Sequence, residues 1–320
     1  MKVDKNETRL DNSNKQELNI SYGIANKVCI GTAQFGMNYG IANEKGQPNY
    51  NEIRNLVDYA TRSGILYYDT AQSYGTSEAV LGLVFSNLVQ KQSIRVITKL
   101  HPTFSFNANE DLELVVKTSL HKLGISKLWG LLLHRLPSDQ EFNKISGSIE
   151  SLKSRGFIEQ FGVSVYTPTE AIYYVKQDWV DIVQVPFNVL DRRLIDNGFF
   201  ADAFTLKKNI FIRSVFLQGL LLMDSESIES KGMGWSVQHM DFLWNFVSKK
   251  SISIKQFVLQ AVFQYCKDAQ IILGVDNVDQ LKENLFLLGS DKISDDIINE
   301  WWQKLPLFPE KFLNPSLWKK

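Results

Sequence analysis

Cysteine is nearly absent: 320 residues carry two, Cys29 and Cys266. Their separation fits no metal-binding spacing, and no metal site is expected. So few thiols exclude a disulfide scaffold and point to a reducing, cytoplasmic setting. Both lie among apolar neighbours, so buried, inert thiols are expected. Net charge is lacking too, since 35 Lys and Arg residues balance 35 Asp and Glu. No global field draws the chain to nucleic acid or to an anionic membrane, and no basic stripe or recognised nucleic-acid module stands in for one. Long apolar runs are missing as well. VFLQGLLLM at 215–223 is among the longest and falls far short of the roughly 20 residues a membrane helix needs. The opening MKVDKNETRLDNSNKQELN has no apolar leader core. A flexible polar arm is expected over 1–26.

What the chain has instead is alternation. Short apolar runs occur at Val28–Gly36, Leu66–Thr70, Ile94–Leu100, Leu128–Leu133, Phe161–Val165, Ile182–Pro186, Ile210–Phe216 and Gln270–Val275. Near-continuous apolarity is the mark of parallel strands covered on both faces. Between them lie helical patterns at Tyr50–Arg62, Ser77–Leu88, Asn109–Lys122, Gln140–Ser154, Pro168–Gln177, Ile195–Lys207, Ile254–Tyr265 and Val278–Leu288. Thr167, Pro168 and Glu170 spell a capping box with proline at the first helical position. Strands alternating with helices over about 250 residues predict an α/β fold, a (β/α)8 TIM barrel. No composition break divides it, so 27–320 is expected to be one domain. Two segments exceed the minimal pattern: a long loop at about 217–250 and an aromatic tail at 289–320. Both are candidate substrate walls, because barrel active sites lie at the carboxyl ends of the strands. For Trp301 and Trp302, packing on outer helices is the favoured expectation.

Four residues stand at the exits of successive predicted strands: Asp69 and Tyr74 in LYYDTAQSYG, Lys99 in RVITKL and His134 in LWGLLLHR. Each alone is ordinary, as packing, cap or solvated charge. As an ordered set they suit carbonyl reduction. That reaction needs hydride at carbon and a proton at oxygen, and no side chain donates hydride, so a nicotinamide-like cofactor must. A tyrosine with a pKa of about 10 is a weak acid. A neighbouring ammonium stabilises the phenolate, so Lys99 is expected to lower the Tyr74 pKa. Asp69 would hold Lys99, and His134 would donate to the carbonyl oxygen.

These motifs resemble the aldo/keto reductase family. DTAQSYG matches the family's D-x-A-x-x-Y-G, and the lysine of ITK and the histidine of LLLH fall in family positions. GTAQFG at 31–36, GVSVY at 162–166, QVPFN at 184–188, RSVFLQG at 213–219 and ILGVDNVDQLKEN at 272–284 resemble its first-, fifth-, sixth- and seventh-strand and cofactor-tail motifs. The resemblance spans Val28 to about Asn314. It implies that Asp69, Tyr74, Lys99 and His134 form the catalytic tetrad of an NAD(P)H-dependent reductase of aldehydes or ketones.

The resemblance also implies a cofactor path. Gly31 and Thr32 lie at its first-strand exit. Ser164 and Gln184 would hold the carboxamide, with Val165 at a position where the family usually has asparagine. Arg213 would take the place of the ring that stacks on the nicotinamide. Ser214, Gln218 and Gly219 would follow the pyrophosphate. Gly274, Gln280, Glu283 and Asn284 would meet the adenosine. Family habit favours NADP(H), but Lys282 is the sole cation of that segment, among Asp276, Asp279 and Glu283, so NAD(H) stays open. Phe35, Tyr39 and Trp235 are candidates for stacking on substrate, a small-molecule carbonyl whose identity the loops decide. Two other readings stand beside this one: a lyase using Lys99 as a Schiff base, and a non-enzymatic or slow-turnover nicotinamide-binding regulatory protein. The sequence leaves the oligomeric state open.

Overall fold

Eight short parallel strands close into a barrel in chain order. They are β1 (Val28–Gly31), β2 (Tyr67–Asp69), β3 (Arg95–Lys99), β4 (Leu128–Leu133), β5 (Ile158–Ser164), β6 (Ile182–Pro186), β7 (Asn209–Arg213) and β8 (Gln270–Gly274). The structure, a computed structural model, describes residues 22–88, 93–106 and 111–318. Nearly all of the arm expected over 1–26 lies outside them. The outer layer consists of α1 (Tyr50–Arg62), α2 (Ser77–Phe85), α3 (Leu112–Leu123), α4 (Asp139–Ser154), α5 (Pro168–Val175), α6 (Phe199–Thr205), α7 (Val237–Lys250), α8 (Ile254–Tyr265), α9 (Val278–Gly289) and α10 (Asp295–Lys304). Helices packed on a parallel sheet explain why its strands read as apolar on both faces. No helix among the described residues is long and apolar enough to cross a membrane.

The barrel interior is a packed core, as this fold requires. Cys29, Tyr67, Ile97, Trp129, Leu132, Ile182, Phe211 and Ile272 form one buried cluster. The rings of Tyr67, Trp129 and Phe211 meet edge-on or tilted at 5.0–5.7 Å. This cluster floors the site. Burial pushes the Cys29 and Cys266 thiols up, out of reactive range. Trp301 is fully buried against Phe242 and Phe246 of α7 and Phe257 of α8, and its indole nitrogen donates to Val189 O at 2.8 Å. The tail therefore packs on outer helices, as expected for Trp301.

Several expected boundaries move, each for a local reason. The run Val28–Gly36 is a strand only to Gly31, and Ala33–Gly36 is a helical turn. There the Thr32 amide and hydroxyl both turn to Asp69 O. The run Ile210–Phe216 stops at Arg213, because Ser214 is left-handed at φ 65°. β5 begins at Ile158, ahead of the expected Phe161. The helix expected over Ile195–Lys207 is broken at Gly198, with φ 76°. The start expected at Asn109 lies outside the described residues, and Asp111 caps α3 instead. The Thr167 capping box is present at α5.

One close contact fixes the height of Tyr74. Gly36 lies so near the loop after β2 that a Cβ there would sit 1.9 Å from Tyr74 O. Gly75, at φ 54°, returns the contact: its Cβ would lie 2.2 Å from Gly36 O. Two glycines thus press the β1 and β2 exits together. Gly36→Ala is expected to destabilise the fold by ~1–3 kcal/mol or more, the usual scale of overpacking. Urea unfolding measures it, and an unchanged midpoint would mean that the two loops are not held this way.

Candidate active site

Side chains alternate across a strand, so residue i+2 lies above residue i on the same face. Two residues beyond the floor come Gly31 after Cys29, Asp69 after Tyr67, Lys99 after Ile97 and His134 after Leu132. The same step gives Gln184 after Ile182, Arg213 after Phe211 and Gly274 after Ile272. An apolar layer is topped by a polar or glycine layer at the carboxyl ends of the strands.

Within that layer Lys99 is fully buried. Its ammonium donates to Asp69 Oδ1 and Oδ2 at 2.7 and 2.8 Å, to Thr70 O at 3.0 Å and to Tyr74 Oη at 3.4 Å. Asp69 also accepts from Gln184 Nε2 at 2.7 Å, and Gln184 Oε1 accepts from Ser164 Oγ at 3.0 Å. The Tyr74 phenol thus accepts from Lys99, which leaves its own proton free to be given away. The Tyr74 and His134 rings meet edge to face at 6.2 Å. The Ser73 hydroxyl lies 3.3 Å from His134 Nδ1. Tyr166 lies parallel to His134, with ring centroids 6.5 Å apart.

The expected lowering of the Tyr74 pKa does not occur. Burial pushes the phenol up, the Asp69 carboxylate adds to this, and Arg213 opposes it. The Lys99 charge is largely cancelled by Asp69 beside it, which is the physical reason for the difference. Tyr74 therefore keeps its proton at neutral pH. His134 moves the other way. Burial, then Lys99, Arg213 and His101, pull its pKa down to about 3, so the ring is neutral.

A cleft of about 420 Å³ opens above this layer. Its wall includes Asp69, Tyr74, Arg213 and Tyr39 at one part and Asp276, Gln280, Glu283 and Asn284 at another. The β1 and β7 exits meet over it, where the Ile41 amide donates to Gln218 O at 3.1 Å. Ser214, Leu217 and Gln218 are left-handed, at φ 65°, 49° and 57°. Such non-glycine residues cost about 1–3 kcal/mol each and gather at functional sites.

A sequence model described as the aldo/keto reductase family matches residues 27–305. The chain belongs to the aldo/keto reductase family. It is an NAD(P)H-dependent oxidoreductase. Among similar proteins is an uncharacterised oxidoreductase, YqkF, of Bacillus subtilis (strain 168), 23% identical over 268 residues, covering 78% of this chain and 86% of that one. An aldo-keto reductase from Bacillus halodurans, in its holo form, has the same fold, with TM-score 0.68, 18% identity and coverage of 89% and 95%. One from Klebsiella pneumoniae in complex with NADPH gives TM-score 0.65, 17% identity and coverage of 90% and 94%.

Several residues of the reductase's cleft suit a dinucleotide. Asn284 is 2% exposed and lies in the wall, yet its Oδ1 accepts no hydrogen bond. A buried acceptor without a donor suits an exocyclic amine such as adenine carries. Gly31, Thr32, Arg213, Ser214, Gln218, Gly219, Gly274, Gln280, Glu283 and Asn284 all line the wall. Ser164 and Gln184 do not; both are buried, with Ser164 donating to Gln184 and Gln184 donating to Asp69. Val165 is fully buried. The Arg213 guanidinium lies 4.7 Å over the Tyr166 ring and donates to Val165 O at 2.8 Å.

Two substrate candidates are corrected. Phe35 is fully buried, because the turn that presses Gly36 on Tyr74 points its ring into the core. Trp235 is taken by the tail, with Lys311 Nζ 4.5 Å over its ring and Phe312 edge-on at 6.4 Å. Tyr39 lies in the wall, 40% exposed. The long loop lends Leu217–Leu222 in part, and the described tail lends nothing. Reading the sequence overlooked Ser73, Tyr166, Gln34 and Lys255. Gln34 is in the wall and ties to Val275 O at 2.8 Å.

These shifts give a pH prediction. With the Ser73 hydroxyl 3.3 Å from Nδ1, the expected neutral tautomer has Nδ1 accepting from Ser73 and its proton on Nε2. Imidazole NMR should show that tautomer for His134, with no titration between about pH 5 and 8. Its folded pKa lies below the unfolded value, so the unfolded chain takes up the proton first. As pH falls from about 6.5 toward 3, this group should therefore lower stability. Imidazolium forming near pH 6 would contradict the buried environment described for His134.

Proposed function

We propose that the chain reduces the carbonyl of a small aldehyde or ketone to an alcohol, with Tyr74 as proton donor. What supports this most is the Lys99 ammonium, which chelates Asp69 and donates to the Tyr74 oxygen at 3.4 Å. Neutral His134 orients the substrate by donating from Nε2 to the carbonyl oxygen. That bond strengthens as negative charge grows on the oxygen, which is when a preorganised donor counts most. An alkoxide is more basic than a phenolate, so Tyr74 gives up its proton despite its raised pKa. Lys99 then stabilises the phenolate at contact distance, and Asp69 keeps the ammonium in place.

The cofactor of this reading is NADP(H), with NAD(H) also admitted. Bound in the cleft, it supplies the hydride to the carbonyl carbon. Arg213 is assigned to the nicotinamide end, Ser214, Gln218 and Gly219 to the pyrophosphate, and Gln280 and Asn284 to the adenosine. Ser164 and Gln184 act through Asp69. Tyr39 is the remaining substrate-wall aromatic. A Schiff-base role fits Lys99 poorly, since a nucleophilic amine must be neutral and this one is bonded to both carboxylate oxygens.

Tyr74→Phe is expected to lower turnover by ~10²–10⁴-fold, the usual weight of a positioned acid, with cofactor affinity retained. Nicotinamide absorbance with a panel of small aldehydes and ketones measures the first, and cofactor fluorescence the second. Undiminished reduction by Tyr74→Phe would remove the assignment. Tight cofactor binding without turnover on any carbonyl in the wild type would favour the regulatory reading.

A further inference from the structure

The acidic end of the cleft contains a cation from a distant part of the chain. Lys255 lies in the wall with Asp276, Gln280, Glu283 and Asn284. It is the second residue of α8, a helix with no acidic residue in its first turn. A cation there opposes the positive end of the helix dipole, so local helix stability does not account for it. Its side chain is only 20% exposed, and its ammonium is paired with Glu283, which is 56% exposed. Lys282, the cation that the sequence offers in this segment, sits 5.5 Å over the Tyr59 ring instead. Asp276 is engaged by the Gln280 amide at 3.3 Å. This end thus presents one ammonium, already held, and two carboxylates.

We propose that Lys255 is the receptor for the 2′-phosphate of NADPH and that Glu283 is its built-in competitor. This rests on the dinucleotide reading of the cleft given above. A 2′-phosphate entering here takes the Lys255 ammonium from Glu283, and the exposed glutamate turns out to solvent. A 2′-hydroxyl leaves the ion pair closed and donates to a carboxylate of the same wall. The pair therefore handicaps NADPH without excluding it, and the chain uses both coenzymes with a small ratio between them. The residue that sets coenzyme choice lies on α8, and the element after β8 supplies its counter-charge.

The test is the ratio of NADPH to NADH dissociation constants, read by cofactor fluorescence, for the wild type, Lys255→Met and Glu283→Gln. 2′,5′-ADP and 5′-AMP serve as competing fragments that isolate the phosphate. The wild-type ratio should lie near one. Lys255→Met should weaken NADPH and 2′,5′-ADP by about tenfold or more, the scale of a hydrogen bond to a charged group, and leave NADH and 5′-AMP much less affected. Glu283→Gln frees the ammonium and should shift the ratio by a similar factor toward NADPH. Opposite shifts in the two variants are something a merely structural role would not produce. Equal ratios in all three proteins, or a Glu283→Gln that loses NADPH as Lys255→Met does, would overturn the proposal. Failure of the wild type to bind either coenzyme would instead strike the dinucleotide reading itself.

Discussion

Burying an ammonium and a carboxylate side by side takes both out of water, and their attraction repays that only when the remaining donors and acceptors are also satisfied. Lys99 and Asp69 meet that condition. Thr70 O takes a third ammonium bond, and Gln184, itself held by Ser164, donates to Asp69. Strands β2, β3, β5 and β6 are thus tied together through one ion pair. Removing either partner alone leaves a buried charge, a change that typically costs about 3–5 kcal/mol. The floor below is largely apolar, and Tyr74 finds its donor, the Lys99 ammonium, already in place.

That arrangement separates two tasks that a free tyrosine and histidine could not divide at neutral pH. Tyr74 stays protonated because burial and Asp69 both oppose its ionisation. His134 stays neutral because burial, and then the Lys99 and Arg213 charges, oppose its protonation. One group can give a proton, and the other can donate a hydrogen bond without giving its proton up. Pairs of titratable groups pushed in opposite directions are the usual mark of assigned acid and orienting roles. The cleft side of the layer is lined by residues from the β1, β7 and β8 exits, so the cofactor candidates and the proton donor share one wall.

Much of this was legible in the sequence because strand geometry is periodic. Apolar runs gave the barrel, and the exits of its predicted strands, with the family motifs there, gave Asp69, Tyr74, Lys99 and His134. What the sequence hid were directions and distant encounters. Phe35 and Trp235 look alike as exposed aromatics, but one is turned inward by a glycine contact and the other is covered by the tail. Ser164 and Gln184 stand opposite each other in register, and the sequence could not show that Gln184 also donates to Asp69. The expected acidification of Tyr74 counted Lys99 and omitted the carboxylate cancelling it. Lys255 could not be matched to Glu283 by spacing. Its one signal was a cation in the first turn of a helix, where the dipole disfavours it. Ser73 gave no signal, since its neighbour His134 comes from another strand.

The most direct test of the ion pair's role follows the hydride itself. Single-turnover reduction of a small aldehyde with 4-deuterated nicotinamide is read by mass spectrometry of the alcohol. The variant is Asp69→Asn combined with Lys99→Met, which removes both charges together and so leaves no unpaired ion. The wild type should place one deuterium on the alcohol carbon. The double variant should fold and bind cofactor, yet transfer the label orders of magnitude more slowly, by at least ~10²-fold if Tyr74 has lost its support. Transfer at the wild-type rate in that variant would contradict the account, because the reaction would then proceed without the interaction that organises the site.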